Sequence, residues 1–158
     1  MKIVYHDKYL EVYTSDPAAK AGRIECIRDA LLGSYEFVRP EPATIDDLRL
    51  VHGEKHIEAI KGYETIYDVA LYAVGGAIKA SELALAGEPA FALIRPPGHH
   101  ASRNSSWGFC FFNNIAIAIE RLRQSGKIKR AFILDIDLHY GDGTANIFNN
   151  IPEVSYFH

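Results

Sequence analysis

The chain has 158 residues, 48% of them apolar and 23% charged, with a formal net charge of −3. That length suits one domain with a buried core, and the composition excludes a disordered or collagen-like polymer. No run of Lys or Arg offsets the negative balance, so neither nucleic acid nor an acidic membrane surface is expected as a partner.

Taken in chain order, an apolar β-type run at Lys2–Tyr5 comes first. Asp16 before Pro17 predicts a helix running through Ile24, Ile27, Leu31 and Leu32 to a stop at Gly33. A strand at Tyr35–Val38 follows, then a helix starting at Thr44 with Asp47 three residues on, a short capping box. The next helical pattern, Ile66 to Leu85, carries a Gly75–Gly76 pair suited to close backbone packing. Strands at Ala90–Ile94, Ala131–Ile136 and Val154–Phe157 complete the series, with a helix at Asn114–Arg123 between the first two. Strands alternating with helices predict the α/β class, a parallel sheet flanked by helices, in a single domain over residues 1–158. Two cysteines, Cys26 and Cys110, are too few for a disulfide framework, and the start MKIVYHDKYL lacks the blocks of a secretory signal. The apolar runs stop well short of a membrane span, so a soluble protein of the reducing cytoplasm is expected.

Two segments carry chemistry. In AFILDIDLHYGDG, an extended chain places Asp135, Asp137 and His139 on one face and Ile136 and Leu138 on the other. Ligands of open parallel sheets sit beyond the carboxyl ends of the strands, where these residues lie, and carboxylate plus imidazole suits Zn²⁺, Fe²⁺ or Mn²⁺. Singly, an Asp at a strand end is usually a turn or cap residue, and Asp142–Gly143 reads as a loop. Two carboxylates on one buried-looking face, however, repel and resist desolvation unless a cation or proton compensates. In RPPGHHASRNSSWGFCFFNN, His99 and His100 follow the strand pattern Ala90–Ile94. A lone histidine pair is more often one core and one surface residue, yet this pair also stands at a strand end.

RPPGHHA at Arg95–Ala101, GFCFFNN at Gly108–Asn114 and DIDLHYGDGT at Asp135–Thr144 together resemble the histone deacetylase superfamily, including its acetylpolyamine amidohydrolases. LVHGEKHIEAI at Leu50–Ile60 and VGGAIKA at Val74–Ala80 are similar to the family's early helices. The resemblance implies the amino-terminal part of a deacetylase catalytic domain, a truncated arginase/deacetylase fold. By the same resemblance Asp137 and His139 match two zinc-ligand positions, with Fe²⁺ as an alternative ion. Asp135 matches a carboxylate that orients His99 and touches a bound K⁺. His100 matches the general base and acid, oriented by Asp142, and Gly108 and Phe109 match the wall of the substrate channel. Phe148 and Val154 resemble positions whose carbonyls hold a second monovalent cation, and Arg23 an arginine near an internal cavity, although a surface helix arginine is the plainer reading.

The resemblance implies removal of acetyl groups from acetyl-lysine peptides or small acetylated amines such as polyamines. The family's third zinc ligand, another Asp, and its oxyanion-binding tyrosine lie beyond the part that Val154–His158 matches, so the site is expected to be incomplete as written. The alternative from another class is a catalytically incompetent domain that binds acylated ligands or a partner through the unfinished sheet, homo-oligomers included. An arginase-type two-metal enzyme needs a different Asp–His pattern. Trp107 is read equally as a channel-mouth or a packing residue. Cys110 is read as a small buried residue rather than a nucleophile. The resemblance also implies an acidic residue at the channel rim, and Glu64 and Asp68 are the acidic side chains nearest that position in the sequence.

Overall fold

Five short strands and six helices alternate along residues 1–158 of the computed structural model. Strands β1 (Lys2–Val4), β2 (Glu36–Val38) and β3 (Ala90–Ala92) form a parallel sheet in the order β2-β1-β3, with Ile3 opposite both Phe37 and Phe91. Strands β4 (Ala131–Leu134) and β5 (Val154–Phe157) form a second parallel pair, Ile133 facing Tyr156. Every pairing is parallel, as the alternation of strand and helix requires.

The helices are α1 (Arg23–Leu31), α2 (Ile45–Arg49), α3 (Glu54–Lys61), α4 (Glu64–Leu85), α5 (Asn114–Gln124) and α6 (Asp142–Phe148). Thr44 and Asp47 make the reciprocal capping box of α2, and Asp47 also pairs with Arg121 of α5, tying the two helices together. Asp16 does cap through its side chain, accepting from the Ala18 amide at 2.8 Å, but the element it starts is a 3-10 turn at Pro17–Ala19. The helix begins later, at Arg23, behind Gly22 in the left-handed region (φ 88°), because Lys20 leaves the helical basin and breaks the run.

Helix α4 is the central packing element. Ala70, Ala73, Val74 and Ile78 are buried along it, against Ile57 and Ile60 of α3, Ile117 of α5 and the β1 and β3 side chains. Burying each large aliphatic side chain is worth about 1.5–3 kcal/mol. Gly75 is needed for the close approach expected from the sequence: a Cβ there would collide with the Glu41 carbonyl.

Between β3 and β4 opens a cleft of about 950 Å³, lined by Ala92, Ile94, Ile115, Ile133 and the chain ends that carry His99 and Asp135. The outer side chains of β4 and its continuation, Phe132, Leu134, Ile136 and Leu138, are exposed, as is Phe157 opposite Leu134. No helix of the structure is long and apolar enough to cross a membrane.

Candidate active site

The strand β4 ends at Leu134, earlier than the sequence pattern predicts, and the chain bends over Asp137–His139. Asp135, Asp137 and His139 therefore lie on the segment past the strand rather than on the strand itself. Asp135 turns inward with 14% of its side chain exposed, while Asp137 and His139 keep 51% and 67%. The alternates between them, Ile136 and Leu138, are almost fully exposed.

His99 and His100 follow β3 through a cis Arg95–Pro96 bond. The buried Arg95 donates to the carbonyls of Tyr9, Leu10 and Lys20 and anchors the strand's exit. His99 Nδ1 donates to Asp135 Oδ2 at 3.0 Å, and His100 Nδ1 donates to Asp142 Oδ1 at 2.6 Å. A carboxylate only accepts, so both rings carry a proton on Nδ1, and in the neutral ring the lone pair then lies on Nε2. The two rings lie 4.0 Å apart between centroids, and His139 lies 6.2 Å from His100.

The carboxylates are fixed in turn. Trp107 Nε1–H donates to Asp142 Oδ2 at 2.9 Å while its ring stacks on His100 at 3.7 Å. Burial works to raise the Asp142 pKa, but the bonds from Trp107 and His100 outweigh it and hold the group below the usual carboxylate range. Asp135 behaves likewise: burial is opposed by His99, by the Asp137 amide and by Tyr156 Oη–H at 2.9 Å, and the net shift is downward. Tyr156, whose hydroxyl also accepts from the Gly141 amide, is itself pushed up to about 12 by burial and by that carboxylate. Gly143 is another position where a Cβ does not fit, since it would stand 2.6 Å from the Ala101 backbone.

Asp137 and His139 face one another. Asp137 Oδ1 accepts from the His139 amide at 2.8 Å and its ring Nδ1 at 3.2 Å, and the amide bond leads in holding the Asp137 pKa down. His158 Nε2 donates to the Asp137 carbonyl at 2.8 Å. No group of three or more His, Cys, Asp or Glu side chains is spaced to hold an ion, so this chain offers two donors of the right chemistry. Phe109 is half-buried beside Gly108, which takes φ 64°. Cys110 is buried and burial pushes its thiol up to about 11, the state of an unreactive packing residue.

The family model of the histone deacetylase domain matches residues 17–158. The chain belongs to the histone deacetylase family. A probable deacetylase of Methanothermobacter thermautotrophicus is 40% identical over 154 aligned positions, which cover 86% of this chain and 46% of that protein. Polyamine deacetylase HDAC10 of Mus musculus is 37% identical over 131 positions, covering 80% of this chain and 20% of its own length. The crystal structure of the HDA15 HD domain superposes with a TM-score of 0.87 at 27% identity, over 98% of this chain and 51% of that one. The chain thus spans about half the length of the first of these relatives.

Sequence reasoning missed three contributors to this deacetylase-family site. It gave Trp107 no contact with Asp142, did not consider Tyr156, and read GDG as loop where α6 starts. Tyr156 lies two residues past the buried Val154, a spacing that puts both on the same strand face and so signals an inward hydroxyl.

Proposed function

We propose that this chain carries the proton-transfer side of a metal-dependent deacetylase site acting on acetyl-lysine or small acetylated amines such as acetylpolyamines. The observation that carries this reading is the His100–Asp142 bond of 2.6 Å on a ring only 7% exposed, which leaves a lone pair on Nε2. Asp142 sets the tautomer and direction of the ring, and Trp107 stacked on it holds its plane. His100 Nε2 is then placed to take the proton of an attacking water and to return it to the departing amine nitrogen, so one group serves as base and then acid. His99, held by Asp135, lies beside it and contributes hydrogen bonding.

Asp137 and His139 would hold the ion, Zn²⁺ or Fe²⁺, as two of its ligands. When bound, the metal supplies Lewis-acid polarisation of the acetyl carbonyl. Asp135 Oδ1 accepts one hydrogen bond, from the Asp137 amide, which leaves it a lone pair for a K⁺ ion. Phe109 and Gly108 would form the wall along which the acyl chain reaches the histidines. Two unpaired cysteines, one of them exposed, agree with a reducing cytoplasmic setting.

The test combines zinc titration with turnover of an acetyl-lysine peptide and of N-acetylated polyamine. The expected result is weak zinc binding that a Asp137→Ala/His139→Ala double variant abolishes, and slow turnover that His100→Ala abolishes. Zinc binding indifferent to the double variant, or turnover indifferent to His100→Ala, would overturn the reading. The bare side chains Phe132, Leu134, Ile136, Leu138 and Phe157 favour a second reading, in which the domain acts by association through this face. A single oligomeric state that is unchanged by charged substitutions there would remove it.

A further inference from the structure

Two buried histidines take no part in the reaction described above. His52 and His56 are 2% and 6% exposed, their rings 5.0 Å apart and packed on Phe112. His52 stands one residue ahead of Gly53, the cap of α3, and His56 lies on that helix one turn further. Both face the segment that joins β3 to α5.

The Asn113 amide donates to His52 Nε2 at 2.9 Å, so that nitrogen bears the lone pair and Nδ1 bears the proton that goes to the Ser102 carbonyl at 3.0 Å. One imidazole thus grips both ends of the Ser102–Asn113 loop. His56 Nε2 donates to the Phe111 carbonyl at 2.8 Å, and the Gly53 amide donates to the Arg103 carbonyl at 2.9 Å. Inside the loop lie Trp107, which stacks on His100 and holds Asp142, and Gly108–Phe109. Asn113 continues the chain of contacts, its side chain donating to the Ala101 carbonyl and to Thr144 Oγ1 of α6.

We propose that His52 and His56 form a clamp that fixes the Ser102–Asn113 loop and through Trp107 aims the His100–Asp142 pair, His52 being a positioning residue with a fixed Nδ1–H tautomer. The proposal rests on the deacetylase reading only for the role given to His100. The groups facing His52 suit a permanently neutral ring: His56 from α3, Arg103 from the loop, and no carboxylate partner. Burial, then His56, pushes its pKa down to about 3. Protonating Nε2 would also break the bond to the Asn113 amide.

The test uses the full chain labelled with ¹⁵N-histidine. The wild-type His52 ring should show the Nδ1–H tautomer and not titrate between about pH 5 and 8. His52→Asn keeps a donor for Ser102 but no acceptor for Asn113. It should speed exchange of the Asn113 amide about tenfold, the effect of losing one hydrogen bond to a buried donor, and shift the emission of Trp107, the only tryptophan. His52→Gln, which returns an acceptor to the Nε2 position, should restore both. An Nε2–H tautomer, a ring titrating near 6.5, or unchanged Trp107 emission in a folded His52→Asn protein would overturn the clamp. Should neither variant fold, the wild-type ring decides alone. None of these readouts uses turnover, so a failed deacetylase assay sinks the functional reading and leaves the clamp intact.

Discussion

The tandem histidines and the Asp137–His139 pair stand at two strand ends, yet only the first pair is tied to distant parts of the chain. His100 keeps 7% of its side-chain surface exposed, against 67% for His139. Each tandem histidine is held by a carboxylate from a distant segment, whereas the side chains of Asp137 and His139 bond only to one another. A proton-transfer group has to be aimed before the substrate arrives, so its partners are built into the fold. A metal ligand is oriented by the ion as well as by the protein, and can stay exposed until that ion binds.

The sharpest break in this comparison is chemical. Replacing His100 with Ala should lower any deacetylation by about 10²- to 10⁴-fold, the usual worth of general acid–base help. Its far-ultraviolet circular dichroism should remain that of the wild type, which separates lost chemistry from lost fold.

Next in size is the acid sensitivity of the tied side. The folded pKa of His52 lies near 3, below its ordinary 6.5, so between these values the unfolded chain binds the extra proton. Its contribution to stability is full above about pH 6.5 and falls by about 1.4 kcal/mol per unit as the pH drops toward 3. Urea unfolding at pH 7 and pH 4.5 should therefore differ more for the wild type than for His52→Gln, which carries no titrating ring.

Gly143→Ala tests how tightly α6 sits on the histidine loop. A Cβ 2.6 Å from the Ala101 backbone must displace it, at a cost of about 1–3 kcal/mol in denaturant unfolding. The smallest effect belongs to the open side: His139→Ala should change stability by less than about 0.5 kcal/mol, since the ring is exposed and bonded only locally. A large loss from His139→Ala would erase the contrast between the two sides.

Much of the fold was legible because it is written in local pattern. The Thr44–Asp47 box and the five strand positions follow from spacing and turn chemistry that need no distant partner. Asp16 was legible as a cap but not as the cap of a 3-10 turn, because the break at Lys20–Gly22 is set by backbone geometry that the apolar spacing hides. The end of β4 was placed two residues late for a similar reason, since nothing in the alternating letters marks where the strand stops.

The sequence by itself determined the alternating α/β order, the lack of any run of Lys or Arg, and the set of residue types gathered near two strand ends. The resemblance of three motifs to one family told which of those residues to watch. Only the tertiary structure decided which carboxylate meets which histidine, across 36 and 42 residues of chain, and that Trp107 and Tyr156 complete those pairs. It also showed His52 holding Ser102 and Asn113 at once. Such contacts depend on how separate elements dock, and hydrogen bonds between them form only once burial of the surrounding apolar side chains has fixed the distances.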